Sequence, residues 1–191
     1  MIEELEKFAK ENNIPIMLPD GILFLTNYIE ENKIKNILEI GTAIGYSAIK
    51  MALVDNDIHV TSIERDEERY KEALKNIKMF NLENRINVIF DDAFNVDLND
   101  KFDLIFIDAA KSQSIKFFEK FKFNLKKEGT IITDNINFHG LTKQKEIKNR
   151  NTRQLVRKIR EYIDFLENNQ EFITYFIEDG DGISISKRKS N

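Results

Sequence analysis

The chain has 191 residues, 41% of them hydrophobic and 32% charged, enough to bury one core and short for two. No apolar run approaches the length of a bilayer span, and the acidic start Met1-Ile2-Glu3-Glu4-Leu5-Glu6 is unlike a secretory signal. With no cysteine there is no disulfide framework or thiolate chemistry, so the expectation is one cytoplasmic domain over residues 1–191 that does not engage a membrane.

In chain order, two helices are predicted first, about Ile2–Asn12 and Asp20–Asn32, forming an N-terminal helical cap over residues 1–35. Short β-branched runs then alternate with helical stretches. The predicted strands are Asn36–Gly41, His59–Glu64, Ile86–Asp91, Phe102–Asp108 and Gly129–Asn135. Between them Tyr46–Leu53, Asp66–Asn81 and Ser112–Lys126 read as helices; Tyr70, Leu74, Ile77 and Phe80, for example, recur at helical spacing. Such alternation implies a parallel sheet with helices on both faces. A basic helix follows, about Asn149–Asn168. Glu171–Glu178 and Ile183–Ser186 then read as strands joined by Asp179-Gly180-Asp181-Gly182, a turn-rich link that makes them an antiparallel hairpin. The fold class is α/β, a seven-stranded, mostly parallel sheet ending in that hairpin.

In open α/β sheets ligands bind at the carboxyl ends of the strands, and the chemistry-bearing residues fall there. Leu38 to Ser47 runs from a strand through Gly41 and Gly45 into a helix. Ala43 stands where a dinucleotide fingerprint has its second glycine, which disfavours a pyrophosphate ligand. Glu64 ends the second strand, 23 residues after Gly41, where a carboxylate can accept from both ribose hydroxyls. Asp91-Asp92-Ala93 ends the third, where an Asp can meet an adenine amino group. These three strand ends point to a nucleoside-bearing cofactor.

The fourth and fifth strands end in Asp108 and in Asp134-Asn135. Two carboxylates and an amide oxygen suit Mg²⁺, whereas zinc wants His or Cys and the chain has only His59 and His139. Lys111, three residues after Asp108, is placed to take a proton from a substrate hydroxyl.

Together these residues resemble the cation-dependent O-methyltransferase family, which includes catechol and caffeoyl-CoA methyltransferases. The carriers are Leu38–Ser47, Ile107-Asp108-Ala109-Ala110-Lys111 and Thr133-Asp134-Asn135. The resemblance implies a Rossmann-like class I methyltransferase using S-adenosylmethionine and Mg²⁺ or another divalent cation. It implies that Asp108, Asp134 and Asn135 hold the metal, that Asp108 and Lys111 are catalytic, and that the protein is a homodimer. It places Met17, Glu39, Gly41, Tyr46, Ser47, Glu64, Asp92, Ala93 and Asp108 at the cofactor. Within these positions Glu64 meets the ribose, Ser47 the carboxyl end and Asp92-Ala93 the adenine, with Met17 near the methyl donor. Asp91 departs from the family pattern, where glycine is common before Asp-Ala.

Within the family the chain resembles the bacterial tRNA 5-hydroxyuridine methyltransferases, which make 5-methoxyuridine at the anticodon wobble position. Ile14–Met17, His139-Gly140-Leu141, Arg150–Ile159 and Gly180-Asp181-Gly182 carry that likeness. The charge pattern agrees with a nucleic-acid partner. The chain is −4 overall, but residues 143–160 hold eight cations against Glu146, a net +7. The basic helical segment, 143–168, begins beside the proposed metal ligands. Arg150, Arg153, Arg157 and Lys158 are candidate RNA contacts, and Phe138 is a candidate to stack on an extruded base of a tRNA anticodon loop. Two alternatives stay open: a catechol-like small-molecule O-methyltransferase, and a non-catalytic nucleotide-binding module, against which the intact Asp108/Lys111/Asp134/Asn135 set argues.

Overall fold

A computed structural model describes residues 1–137, 140–144 and 147–190. Its helices are α1 (Ile2–Glu11), α2 (Pro19–Glu31), α3 (Tyr46–Ala52), α4 (Glu67–Met79), α5 (Ser114–Phe121) and α6 (Arg150–Glu167). Its strands are β1 (Asn36–Ile40), β2 (His59–Glu64), β3 (Ile86–Phe90), β4 (Phe102–Ile107), β5 (Leu125–Thr133), β6 (Phe172–Ile177) and β7 (Ile183–Arg188). They form a 7-stranded sheet in the order β3-β2-β1-β4-β5-β7-β6. Pairs from β3 through β5 are parallel, whereas β7 runs antiparallel to both β5 and β6. This is the sheet read from the sequence.

Alternation along the strands makes two cores. Leu104 and Phe106 of β4 face α1, α2 and α3, joining Leu5, Leu25, Ile29 and Ile49. Ile105 and Ile107 face the other way, into Phe117, Phe118, Phe121, Tyr162 and Leu166 of α5 and α6. Phe118 is fully buried and meets Phe172 edge-on at 5.0 Å. Burying a ring this size contributes roughly 2–3 kcal/mol. No helix among the described residues is long and apolar enough to cross a membrane.

Helix ends follow local chemistry. Asp66 accepts from the Arg69 N–H at 2.9 Å and Asn149 from the Thr152 N–H at 3.0 Å, each capping a helix that starts one residue later. The main departure from expectation lies at residues 122–128. The helix predicted through Lys126 stops at Phe121, a 3₁₀ turn covers Lys122–Asn124, and β5 begins at Leu125 instead of Gly129. Lys126-Lys127-Glu128 carries no apolar residue to mark a strand, so the early start of β5 shows only in three dimensions. The register slip against Phe102/Leu104 falls at the same place.

Candidate active site

The loop after β1 sets the geometry. Gly41 has φ +100°, and a Cβ there would lie 2.4 Å from the Asp108 carbonyl oxygen, so only glycine lets β1 and β4 end side by side. Gly45, at φ +83°, opens α3. Between them the Ala43 N–H donates to Glu64 Oε2 at 2.8 Å, while Glu64 Oε1 accepts from the N–H groups of Arg65 (3.0 Å) and Asp66 (2.8 Å). Three backbone donors therefore hold the Glu64 carboxylate at the end of β2.

Beneath this loop lies Glu39, fully buried, receiving the hydroxyl hydrogens of Ser47 and Ser62; Ser62 in turn contacts Thr42 Oγ1 at 2.5 Å. Burial pushes the Glu39 carboxyl up to about 8, opposed by the two serine bonds and assisted by the charges of Asp108 and Glu64.

The strand ends open into a cavity of about 460 Å³. One end is lined by Gly41, Ala43, Glu64, Asp92, Ala93 and Phe117; the other by Asp108, Lys111, Asn135 and Asp181, with Pro15, Ile16 and Leu18 of the N-terminal segment alongside. Gly41, Glu64, Asp92, Ala93, Asp108, Lys111 and Asn135 are thus brought together as the sequence implied. Met17, Glu39, Tyr46, Ser47 and Asp134 are not on the cavity wall; Asp134 is buried directly behind Asn135. Met17 is buried against Gly21, Tyr46 donates to Glu6 Oε1 at 2.7 Å, and Ser47 turns inward to Glu39. In this conformation they shape the wall from behind.

At the acceptor end, the Asp108 N–H donates to the Ile40 carbonyl at 3.0 Å and the Asp134 N–H to the Ile107 carbonyl at 3.2 Å, so sheet pairing fixes both aspartates. Lys111 Nζ donates to Asp108 Oδ1 at 3.0 Å, both side chains being largely buried. Asp134 is 2% exposed; burial and then the Asp108 charge push its carboxyl well above the usual range, against the pull of Lys111. Asn135 takes a left-handed backbone, φ 59°, at the bend that follows β5. No group of three His, Cys, Asp or Glu side chains among the described residues converges to hold a metal ion by itself. The donor set that fits is instead two carboxylates and one amide, which suits a hard cation retaining water.

Asp181, Gln113 and Phe117 line the cavity without having been picked out from the sequence. In the sequence Asp181 belongs to the hairpin turn and to the Gly180-Asp181-Gly182 stretch of the tRNA methyltransferase likeness, with no place at the site. That turn is bonded to the loop after the aspartates, Asn137 N–H to the Asp181 carbonyl at 2.8 Å and Ile136 N–H to the Gly182 carbonyl at 3.1 Å. The run Asp108-Ala-Ala-Lys-x-Gln-x-x-x-Phe117 was the available signal for the other two, since the helix start carries them past the same strand end.

The basic segment divides. Arg150, Arg153 and Arg157 are exposed on α6, opposite its buried Val156, Ile159 and Tyr162. Arg157 and Lys158 both approach Glu161, at 3.4 and 2.7 Å, and Lys143 reaches Glu178 at 2.6 Å. Arg160 donates to the carbonyls of Thr142 (3.0 Å) and Gln144 (2.5 Å), pinning the preceding loop. Phe138 and His139 lie outside the described residues.

A family model described as O-methyltransferase matches residues 1–189. The chain belongs to the O-methyltransferase family. Its fold is correspondingly close to solved members. A candidate caffeoyl-CoA O-methyltransferase from Staphylococcus aureus is 40% identical, with a TM-score of 0.93 over 98% of this chain and 92% of that one. An O-methyltransferase from Bacillus cereus, solved in complex with SAH, is 25% identical with a TM-score of 0.85, covering 98% of this chain and 90% of that one. An Arabidopsis thaliana relative named as a candidate caffeoyl-CoA O-methyltransferase is 32% identical over 148 residues, 74% of this chain. That match spans 63% of the relative, a little under two thirds of its length.

Proposed function

We propose that this O-methyltransferase moves the methyl group of S-adenosylmethionine onto the 5-hydroxyl of a uridine at the wobble position of a tRNA anticodon loop, with Mg²⁺ or another divalent cation held by Asp108, Asp134 and Asn135. S-adenosylmethionine supplies a methyl group on a positively charged sulfur, and the cation supplies a Lewis acid that favours the ionised form of the acceptor hydroxyl. Glu64 is fixed by three N–H donors with its carboxylate at the cavity wall, a fit for ribose hydroxyls. The Asp108 charge lies close enough to the buried Asp134 to disfavour ionisation of its carboxyl, and a divalent cation between them would offset that repulsion. Lys111, on the same wall and 3.0 Å from Asp108, is the group in place to take the acceptor's proton.

The observation that carries the RNA reading is the position of α6: the helix that presents Arg150, Arg153 and Arg157 packs against the Lys111–Gln113 turn. A phosphate backbone following those arginines would pass the mouth of the cavity. The test is nucleoside mass spectrometry on tRNA from cells with and without the protein. Loss of 5-methoxyuridine with accumulation of 5-hydroxyuridine is expected, and unchanged tRNA overturns the RNA reading.

A small phenolic acceptor is the second reading, favoured by the caffeoyl-CoA names of the relatives. A homodimer is also proposed, on the family resemblance; light scattering should give twice the 22.5 kDa chain mass, and a monomer at micromolar concentration would refute it.

A further inference from the structure

Gln113 closes the 3₁₀ turn Lys111–Gln113 just before α5 and lines the cavity together with Asp92, Ala93 and Phe117. Its Oε1 is buried and has no hydrogen-bond partner among the described residues. A carbonyl-type oxygen left this way is costly unless a ligand supplies the missing donor. The neighbouring carboxylates are engaged by their own turn. Asp92 Oδ1 accepts from the Phe94 N–H at 2.9 Å, and its Oδ2 faces Arg65 at 3.5 Å. Asp91 Oδ1 accepts from the Asp92 N–H at 2.7 Å and from Asn95 Nδ2 at 3.0 Å. Beside them Phe117, braced by Phe94 at a centroid distance of 4.8 Å, and Ala93 provide an apolar surface suited to a flat base.

We propose that Gln113 is a specificity-determining residue for the cofactor, its side-chain oxygen accepting a hydrogen bond from the exocyclic amino group of adenine. The proposal rests on the assignment of this cavity to S-adenosylmethionine. With Oε1 turned to the base, as the proposal has it, a carbonyl in place of the amino group sets acceptor against acceptor and is discriminated against, because a site built to receive a donor rejects a ligand that lacks it.

Calorimetric titration with S-adenosylhomocysteine and its deaminated analogue S-inosylhomocysteine tests this on the intact protein. The wild type should bind the adenine form about tenfold or more tightly than the hypoxanthine form. Gln113→Leu should bring that ratio close to one, by weakening the adenine form and by relieving the opposed acceptors in the hypoxanthine form, which should bind at least as well as to the wild type and so report an intact fold. Gln113→Glu, which keeps an acceptor oxygen, should retain the adenine preference. An unchanged ratio in Gln113→Leu overturns the proposal. Failure of the wild type to bind either compound overturns the cofactor assignment beneath it.

Discussion

The two ends of the cavity are built on different terms. At the β1–β3 end the polar groups answer one another: three backbone N–H groups meet Glu64, and two serines meet Glu39. At the β4–β5 end, Asp108 and Asp134 crowd together with Lys111 as the nearby cation, and burial presses Asp134 toward its neutral form. The first end is settled within the protein and offers a ready-made surface. The second crowds two carboxyl groups around one lysine, with Asp108 paired to Lys111 and Asp134 held toward its neutral form, the arrangement expected where a bound cation and a reacting oxygen complete the structure.

The sharpest way to break this contrast is at Asp134. Asp134→Ala should lower turnover by about a thousandfold or more, because it removes a proposed ligand of the cation. Its melting temperature should stay within a few degrees of wild type, since a crowded buried carboxylate is lost and not a stabilising bond. Full activity of the wild type in EDTA would refute the role given to the cation.

A second perturbation separates the cavity from its surroundings. Reversing Arg150, Arg153 and Arg157 to Glu should weaken methylation of tRNA by tenfold or more at about 0.15 M salt, and should flatten its salt dependence. A small catechol should be methylated at close to the wild-type rate. Equal loss on both acceptors would mean that the helix supports the fold instead of reading a phosphate backbone.

The smallest expected effect comes from the settled end. Folded, the Glu39 carboxyl titrates near 8, against an ordinary value of 4.5. Between those values the native state keeps a proton that the unfolded chain has released, so raising the pH favours unfolding. Stability should fall by roughly a few kcal/mol from pH 4.5 to 8. Glu39→Gln should remove that part of the slope. Identical pH profiles for the two proteins, measured by urea unfolding, would refute the assignment to Glu39.

The sequence made the strand ends legible because the signals there are local. Gly41 must bend the chain, Glu64 terminates a β-branched strand, and Asp108 to Lys111 and Asp134-Asn135 follow short apolar runs that read as strands buried on both faces. Met17, Tyr46 and Ser47 were assigned by motif membership, and the motif does not say which way a side chain turns; each faces a neighbour behind the wall. Asp181 was hidden for a different reason. Its place depends on the C-terminal hairpin folding back to the loop after β5, a contact between residues more than forty apart in the chain. The early start of β5 is not legible because charged Lys126, Lys127 and Glu128 fall in the register shift between Leu125 and Thr130, where no apolar alternation marks a strand.

The order of the last two strands has a consequence for assembly. β6 precedes β7 in the chain but lies outside it in the sheet, and β7 supplies its hydrogen-bonded pairing. β6 therefore joins the sheet only through β7, whose other edge pairs with β5. The same pairing brings the turn at Gly180 within van der Waals reach of Gly21 in α2 and seats Asp181 at the cavity. Completion of the sheet, the contact with the N-terminal segment and the acceptor wall thus all depend on the docking of β7, and a chain ending before β7 would lack Asp181 at that wall.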